Sequence, residues 1–110
     1  MNNADLTDYV LFDEAQAARH TVFESQRLWS QVVCVGRNQS FGPVSDPAAD
    51  AMLTVLAGEV VFLVDKQRKR MKQWGAVLVP AGAELIIKSA SSDPSVVLVV
   101  TAPPPAPSPS

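Results

Sequence analysis

The stretch Gly75-Ala76-Val77-Leu78-Val79-Pro80-Ala81-Gly82-Ala83-Glu84-Leu85 sets two glycines around a short apolar strand, with a proline between them. Its spacing is Gly-x4-Pro-x-Gly-x2-Leu. Glycine accepts positive φ without steric penalty, so both glycines are expected at tight corners. Pro80 has no N–H to give a ladder and is expected where the strand's hydrogen bonds end. Upstream, Asp50-Ala51-Met52-Leu53-Thr54-Val55-Leu56-Ala57-Gly58-Glu59-Val60 reads as an apolar strand that breaks at Gly58 and resumes at Glu59.

Working outward, the same texture continues. Short β-branched runs are separated by turn signals, and no long amphipathic helix is present. Strands are expected at residues 9–12, 21–23, 28–35, 52–56, 59–64, 77–79, 84–88 and 96–101. Asp13 is placed to cap one helical turn over residues 13–18. Residues 41–47 hold Gly42, Pro43 and Pro47 and read as an irregular loop. Asp65-Lys66-Gln67 reads as a hairpin turn and Asp93-Pro94 as the last turn. The run from Ser95 to Val100 is almost wholly apolar, the pattern of a strand covered on both faces. The fold class is all-β, a sandwich or barrel, and an antiparallel double-sheet jelly roll would limit exposed sheet edges in a small chain.

Composition sets bounds on function. A length of 110 residues fits one domain, and 47% hydrophobic residues suffice for a core. A domain this small gains from pairing with a second copy. The net charge of -2 argues against a nucleic-acid footprint. A single cysteine, Cys34, excludes an internal disulfide. No apolar run is long enough for a membrane span. The polar opening Met1-Asn2-Asn3-Ala4-Asp5 lacks a signal-peptide pattern, so a cytoplasmic location is the default expectation. Residues 1–19 are expected to form an N-terminal strand and helical turn, 20–104 the barrel, and 105–110 a Pro-rich, unordered tail.

Taken together, the two glycine-bearing segments resemble the paired motifs of the cupin superfamily across residues 20–104, which implies that family's all-β fold, a double-stranded β-helix or jelly-roll barrel. In metal-binding cupins the first motif carries His-x-His and a Glu, and the second a His. The resemblance aligns these ligands with Ser45, Pro47, Ala51 and Leu85, and the second motif's Asn with Ser89. None of these side chains is an imidazole or a carboxylate, so no metal and no cofactor is expected. Strand alternation groups Ala51, Leu53 and Val55 on one face, and Leu85, Ile87 and Ser89 on another. The resemblance implies that these faces line the barrel mouth. The expected ligand pocket is therefore Ser45, Pro47, Ala51, Leu53, Leu85, Ile87 and Ser89, suited to a small apolar ligand.

Other residues admit a functional and a bland reading. His20 is the only histidine, and some metal-free epimerases of the cupin fold use a histidine base. No carboxylate partner follows from its spacing, so an ordinary strand residue is the simpler reading. Cys34, between Val33 and Val35, reads as a small core residue. The basic run from Lys66 to Lys72 reads as a solvated edge hairpin rather than a phosphate site. Trp29 and Trp74 suit core, pocket wall or interface.

Three functional readings stand: a metal-free, homodimeric binding or interaction module with an apolar barrel interior; a cupin-type enzyme, isomerase-like through His20 or dioxygenase-like through oxygen ligands; and a scaffold acting through the tail or the basic hairpin. The missing histidines and glutamate favour the first and third. No catalytic residue is assigned.

Overall fold

In the computed structural model, which describes residues 1–104, the β-branched runs form nine strands. These are β1 (Ala18–Glu24), β2 (Trp29–Val35), β3 (Ser40–Val44), β4 (Asp50–Ala57), β5 (Glu59–Val64), β6 (Gln67–Lys72), β7 (Ala76–Val79), β8 (Leu85–Ser89) and β9 (Ser95–Ala102). They make two antiparallel sheets, one of five strands in the order β1-β2-β9-β4-β7 and one of four in the order β3-β8-β5-β6. The all-β, jelly-roll expectation holds. The tail expectation for residues 105–110 lies outside the described residues.

The inner faces close on one another. Val33, Val35, Leu53, Val55, Val97 and Val99 of the larger sheet meet Val60, Phe62, Leu85 and Ile87 of the smaller one. Each such side chain contributes about 1.5–3 kcal/mol on burial. β9 lies at the centre of its sheet and is buried along most of its length, as its unbroken apolar run requires.

Residues 9–12, expected as a strand, form none. A short 3-10 helix, Leu6–Tyr9, comes first, capped by Asp5, whose Oδ1 accepts from Thr7 N at 3.0 Å and Thr7 Oγ1 at 2.7 Å. Leu6, Tyr9 and Val10 then lie on the outer face of the larger sheet against Val32, Cys34 and Val96. Their apolar side chains are satisfied by covering a face rather than extending an edge, and β2 is consequently buried on both sides. Asp13 accepts from Ala15 N at 2.7 Å, but no helix follows.

The expected loop at residues 41–47 is in part a strand. β3 pairs with β8 at Ser40, Phe41 and Val44, and the register breaks between Phe41 and Val44. Pro43 removes a donor there, which an edge strand tolerates. The two glycines of the opening stretch also differ. Gly82 has φ +85 as expected, but at the other corner Trp74 takes the left-handed conformation, at φ 74, and not Gly75. Gly75 is demanded by close packing: a Cβ there would lie 2.9 Å from Met71 Cε and 3.0 Å from Lys72 O.

Candidate functional site

Between the sheets, at one end of the barrel, a cavity of about 240 Å³ opens. Its position follows from side-chain size. On β4, Ala51 stands where a larger residue would fill the space, flanked in register by Val79 and Thr101. The loop residues Ala49 and Ala83 leave further room, and Leu85 and Val99 complete an apolar wall.

The rim is polar and aromatic. Arg19 of β1 pairs in register with Val33, which turns its side chain toward the sheet's inner face. Its guanidinium carbon lies 6.0 Å from the Trp29 ring centre and 5.9 Å from that of Phe41, one ring from each sheet. Trp29 is held in turn by Nε1 donating to Thr21 Oγ1 at 3.0 Å. Gln31 and Thr101, at 5% and 9% exposure, place polar groups in the wall, and Gln31 Oε1 has no hydrogen-bond partner among the described residues. Asp46 also lines the cavity, with Oδ1 accepting from Ala48 N at 2.9 Å and its carbonyl accepting from Gly82 N at 2.8 Å.

Of the expected pocket residues, the structure brings Ser45, Ala51 and Leu85 to the cavity and leaves four away from its lining. Leu53 and Ile87 are fully buried, one pleat deeper on the same strand faces, where the core is filled. Pro47 is exposed beside the loop, and its neighbour Asp46 takes the lining position. Ser89 lies at the far end of β8, with Oγ donating to Ser91 O at 2.9 Å. Alternation assigns the right face to most of these side chains but says nothing of depth along the barrel. The missed rim residues carried a signal: Gln31 and Thr101 are polar at inward positions of otherwise apolar strands.

A divalent transition metal needs imidazole, thiolate or closely set carboxylate donors. The cavity offers one carboxylate, Asp46, with neutral hydroxyl and amide oxygens, while Ala51 and Leu85 carry no donor. Among the described residues, no three of His, Cys, Asp and Glu come together. The donor set does not fit such a metal.

The remaining singular residues lie elsewhere. His20 is half-buried and its Nε2 sits 2.9 Å from Leu11 O, an acceptor, so that nitrogen donates and ties the N-terminal segment to β1. Cys34 is fully buried with Sγ donating to Tyr9 O at 3.7 Å, and burial pushes its thiol pKa up, away from reactive thiolate. The basic run forms β6, an edge strand of the smaller sheet. Trp74 is 74% exposed and belongs to no pocket wall described above.

No protein-family model matches the sequence, and no curated protein matches it either. Solved structures do. The TT1209 protein of Thermus thermophilus superposes with a TM-score of 0.90 at 28% identity, over 96% of this chain and 100% of that one. An RmlC-like cupin protein of Desulfovibrio desulfuricans gives 0.85 at 23%, over 94% and 98%. A conserved Klebsiella pneumoniae protein with a double-stranded β-helix domain gives 0.87 at 17%, over 94% and 90%. The chain has the double-stranded β-helix fold of the cupin superfamily.

Proposed function

We propose that this chain is a metal-free, non-catalytic cupin module that binds a small, largely apolar molecule in the mouth of its barrel. The observation that carries this reading is the open cavity of about 240 Å³ walled by Ala51, Ala83, Leu85 and Val99. Well-packed domains leave few voids larger than a water molecule, so a mouth kept open by alanines speaks for an occupant. An enzyme reading through His20 draws no support from its position, since the imidazole is spent on Leu11 O and lines no part of the cavity. Native mass spectrometry of protein purified without a histidine tag tests the proposal. A bound small molecule with no stoichiometric metal is expected. One equivalent of iron, manganese, nickel or zinc surviving a chelator would replace the binding module by the enzyme.

A second copy is the proposed partner. On the outer face of the five-stranded sheet, Met52 stands in register between Leu78 and Val100, and Met52 and Leu78 are 54% and 67% exposed. Such a flat, uncharged row suits an isologous contact. Sedimentation should give a dimer that Met52→Glu converts to monomer. A wild-type monomer throughout the micromolar range would remove the dimer.

A further inference from the structure

The rim of the cavity is specific about charge. Arg19 is held between Trp29 and Phe41, and among the described residues the only ion pair is Arg70 with Glu59. Arg19 therefore faces the mouth without a carboxylate partner. At 6.0 and 5.9 Å the two ring faces attract the guanidinium without using its N–H groups, and that N–H fork matches a carboxylate through two parallel hydrogen bonds.

A second observation points inward. Gln31 is 5% exposed, lines the same cavity, and leaves Oε1 unpaired. Buried side-chain acceptors are rarely left without a donor, and those that are call for an account. Asp46 adds a negative charge to the lining and so disfavours a ligand carrying two of its own. A cavity of about 240 Å³ lies below the range of sites that take drug-sized ligands, which favours a small ligand.

Resting on the binding-module reading above, we infer that the mouth selects a small monocarboxylate with an apolar body: its carboxylate pairs with Arg19, and a hydroxyl or N–H on the body donates to Gln31 Oε1. Amide-resolved NMR titration of the full chain tests this with benzoate, phenylacetate, hexanoate and para-hydroxyphenylacetate, each beside its neutral primary amide. The acids should shift resonances of β1, β2 and β9 around the mouth. Their amides should bind at least about tenfold more weakly. Arg19→Gln should erase that preference and Arg19→Lys should retain part of it, and because the side chain is exposed the spectrum of each variant should otherwise match the wild type. Gln31→Leu should remove only the advantage of para-hydroxyphenylacetate over phenylacetate.

Amides binding as tightly as acids, or acids unaffected by Arg19→Gln, would overturn the carboxylate assignment and leave the binding module standing. Equal loss of both phenylacetates in Gln31→Leu would overturn the donor to Oε1. No shifts at the mouth from any acid or amide would overturn the inference together with the module.

Discussion

The two ends of the barrel are built by the same strands and lie one or two pleats apart. On β2 the step is from Gln31 to Val33, on β4 from Ala51 to Leu53, on β8 from Leu85 to Ile87, and on β9 from Thr101 to Val97 through Val99. Toward the open end the side chains on β2, β4 and β9 are small or polar, Leu85 of β8 being the exception, and toward the packed end they are branched, apolar and fully buried. The difference teaches that in this fold volume, not face, separates a pocket from a core. The largest expected contrast tests that directly. Phe62→Ala, at 1% exposure in the packed end, should cost about 3–5 kcal/mol, because the surroundings cannot collapse onto the void. Leu85→Ala borders space that is already open and should fall near the bottom of the range for such deletions, about 2 kcal/mol. Urea unfolding of both variants checks the order, and equal losses would mean that the mouth is as closely packed as the interior.

The corners of the two ends give the next contrast. Gly58 has φ +76, and a Cβ there would lie 2.6 Å from both Pro94 O and Ser95 Oγ. Gly82, by the cavity, has φ +85 with nothing within 4 Å of such an atom. Gly82→Ala should cost only the left-handed penalty, about 1–2 kcal/mol. Gly58→Ala should cost roughly 3 kcal/mol, since backbone must also move. Matched thermal midpoints for the pair would show that the corner at Gly58 relaxes freely.

Enlargement should act in the opposite sense to deletion. Val55→Phe in the packed end should destabilise by about 1–3 kcal/mol through overpacking. Ala51→Leu has a cavity to grow into, so it should leave stability nearly unchanged while abolishing binding at the mouth. Calorimetric unfolding alongside the NMR titration separates the two effects. A strongly destabilised Ala51→Leu would place Ala51 in filled core.

This contrast also explains what was legible in the sequence. Most of the strands and the turn at Asp65-Lys66 were readable because period-two alternation and turn residues are local signals, whereas the edge strand β3, with its glycine and proline, read as a loop. Ser45, Ala51 and Leu85, singled out by their places in the two motifs, line the cavity. Leu53 and Ile87 were misplaced because alternation fixes a face and not a height. Arg19 and Phe41 were missed, and Trp29 was left between core, pocket wall and interface, because their meeting depends on two sheets closing, which no short window of sequence records. The segment from Leu6 to Val10 was misread because a run that covers a sheet and a run that joins one share the same hydrophobicity.

Two arginines carry the comparison into electrostatics. Among the described residues Arg19 at the mouth has no carboxylate partner, whereas near the Gly58 corner Arg70 donates to both carboxylate oxygens of Glu59, at 2.7 and 3.1 Å, and reaches Ala90 O at 3.3 Å. The ion pair thus joins β5 to β6, while Ser95 Oγ separately donates to the Glu59 carbonyl at 3.0 Å and ties the start of β5 to β9. The Arg70 hydrogen bonds hold the Glu59 carboxyl below its ordinary range, and the same contact raises Arg70. A lowered folded value means that Glu59 binds protons more readily unfolded than folded. Its stabilisation is therefore fully present above the ordinary glutamate pKa and disappears as pH falls through the lowered folded value. The pair is solvent-exposed, so the effect is small and is screened by salt. Glu59→Gln should lower the thermal midpoint slightly at neutral pH in low salt, and the gap from wild type should close on acidification. Arg19→Gln should shift the midpoint at neither pH. A Glu59→Gln deficit that persisted in acid would assign the loss to the packing of its stem rather than to the charge pair.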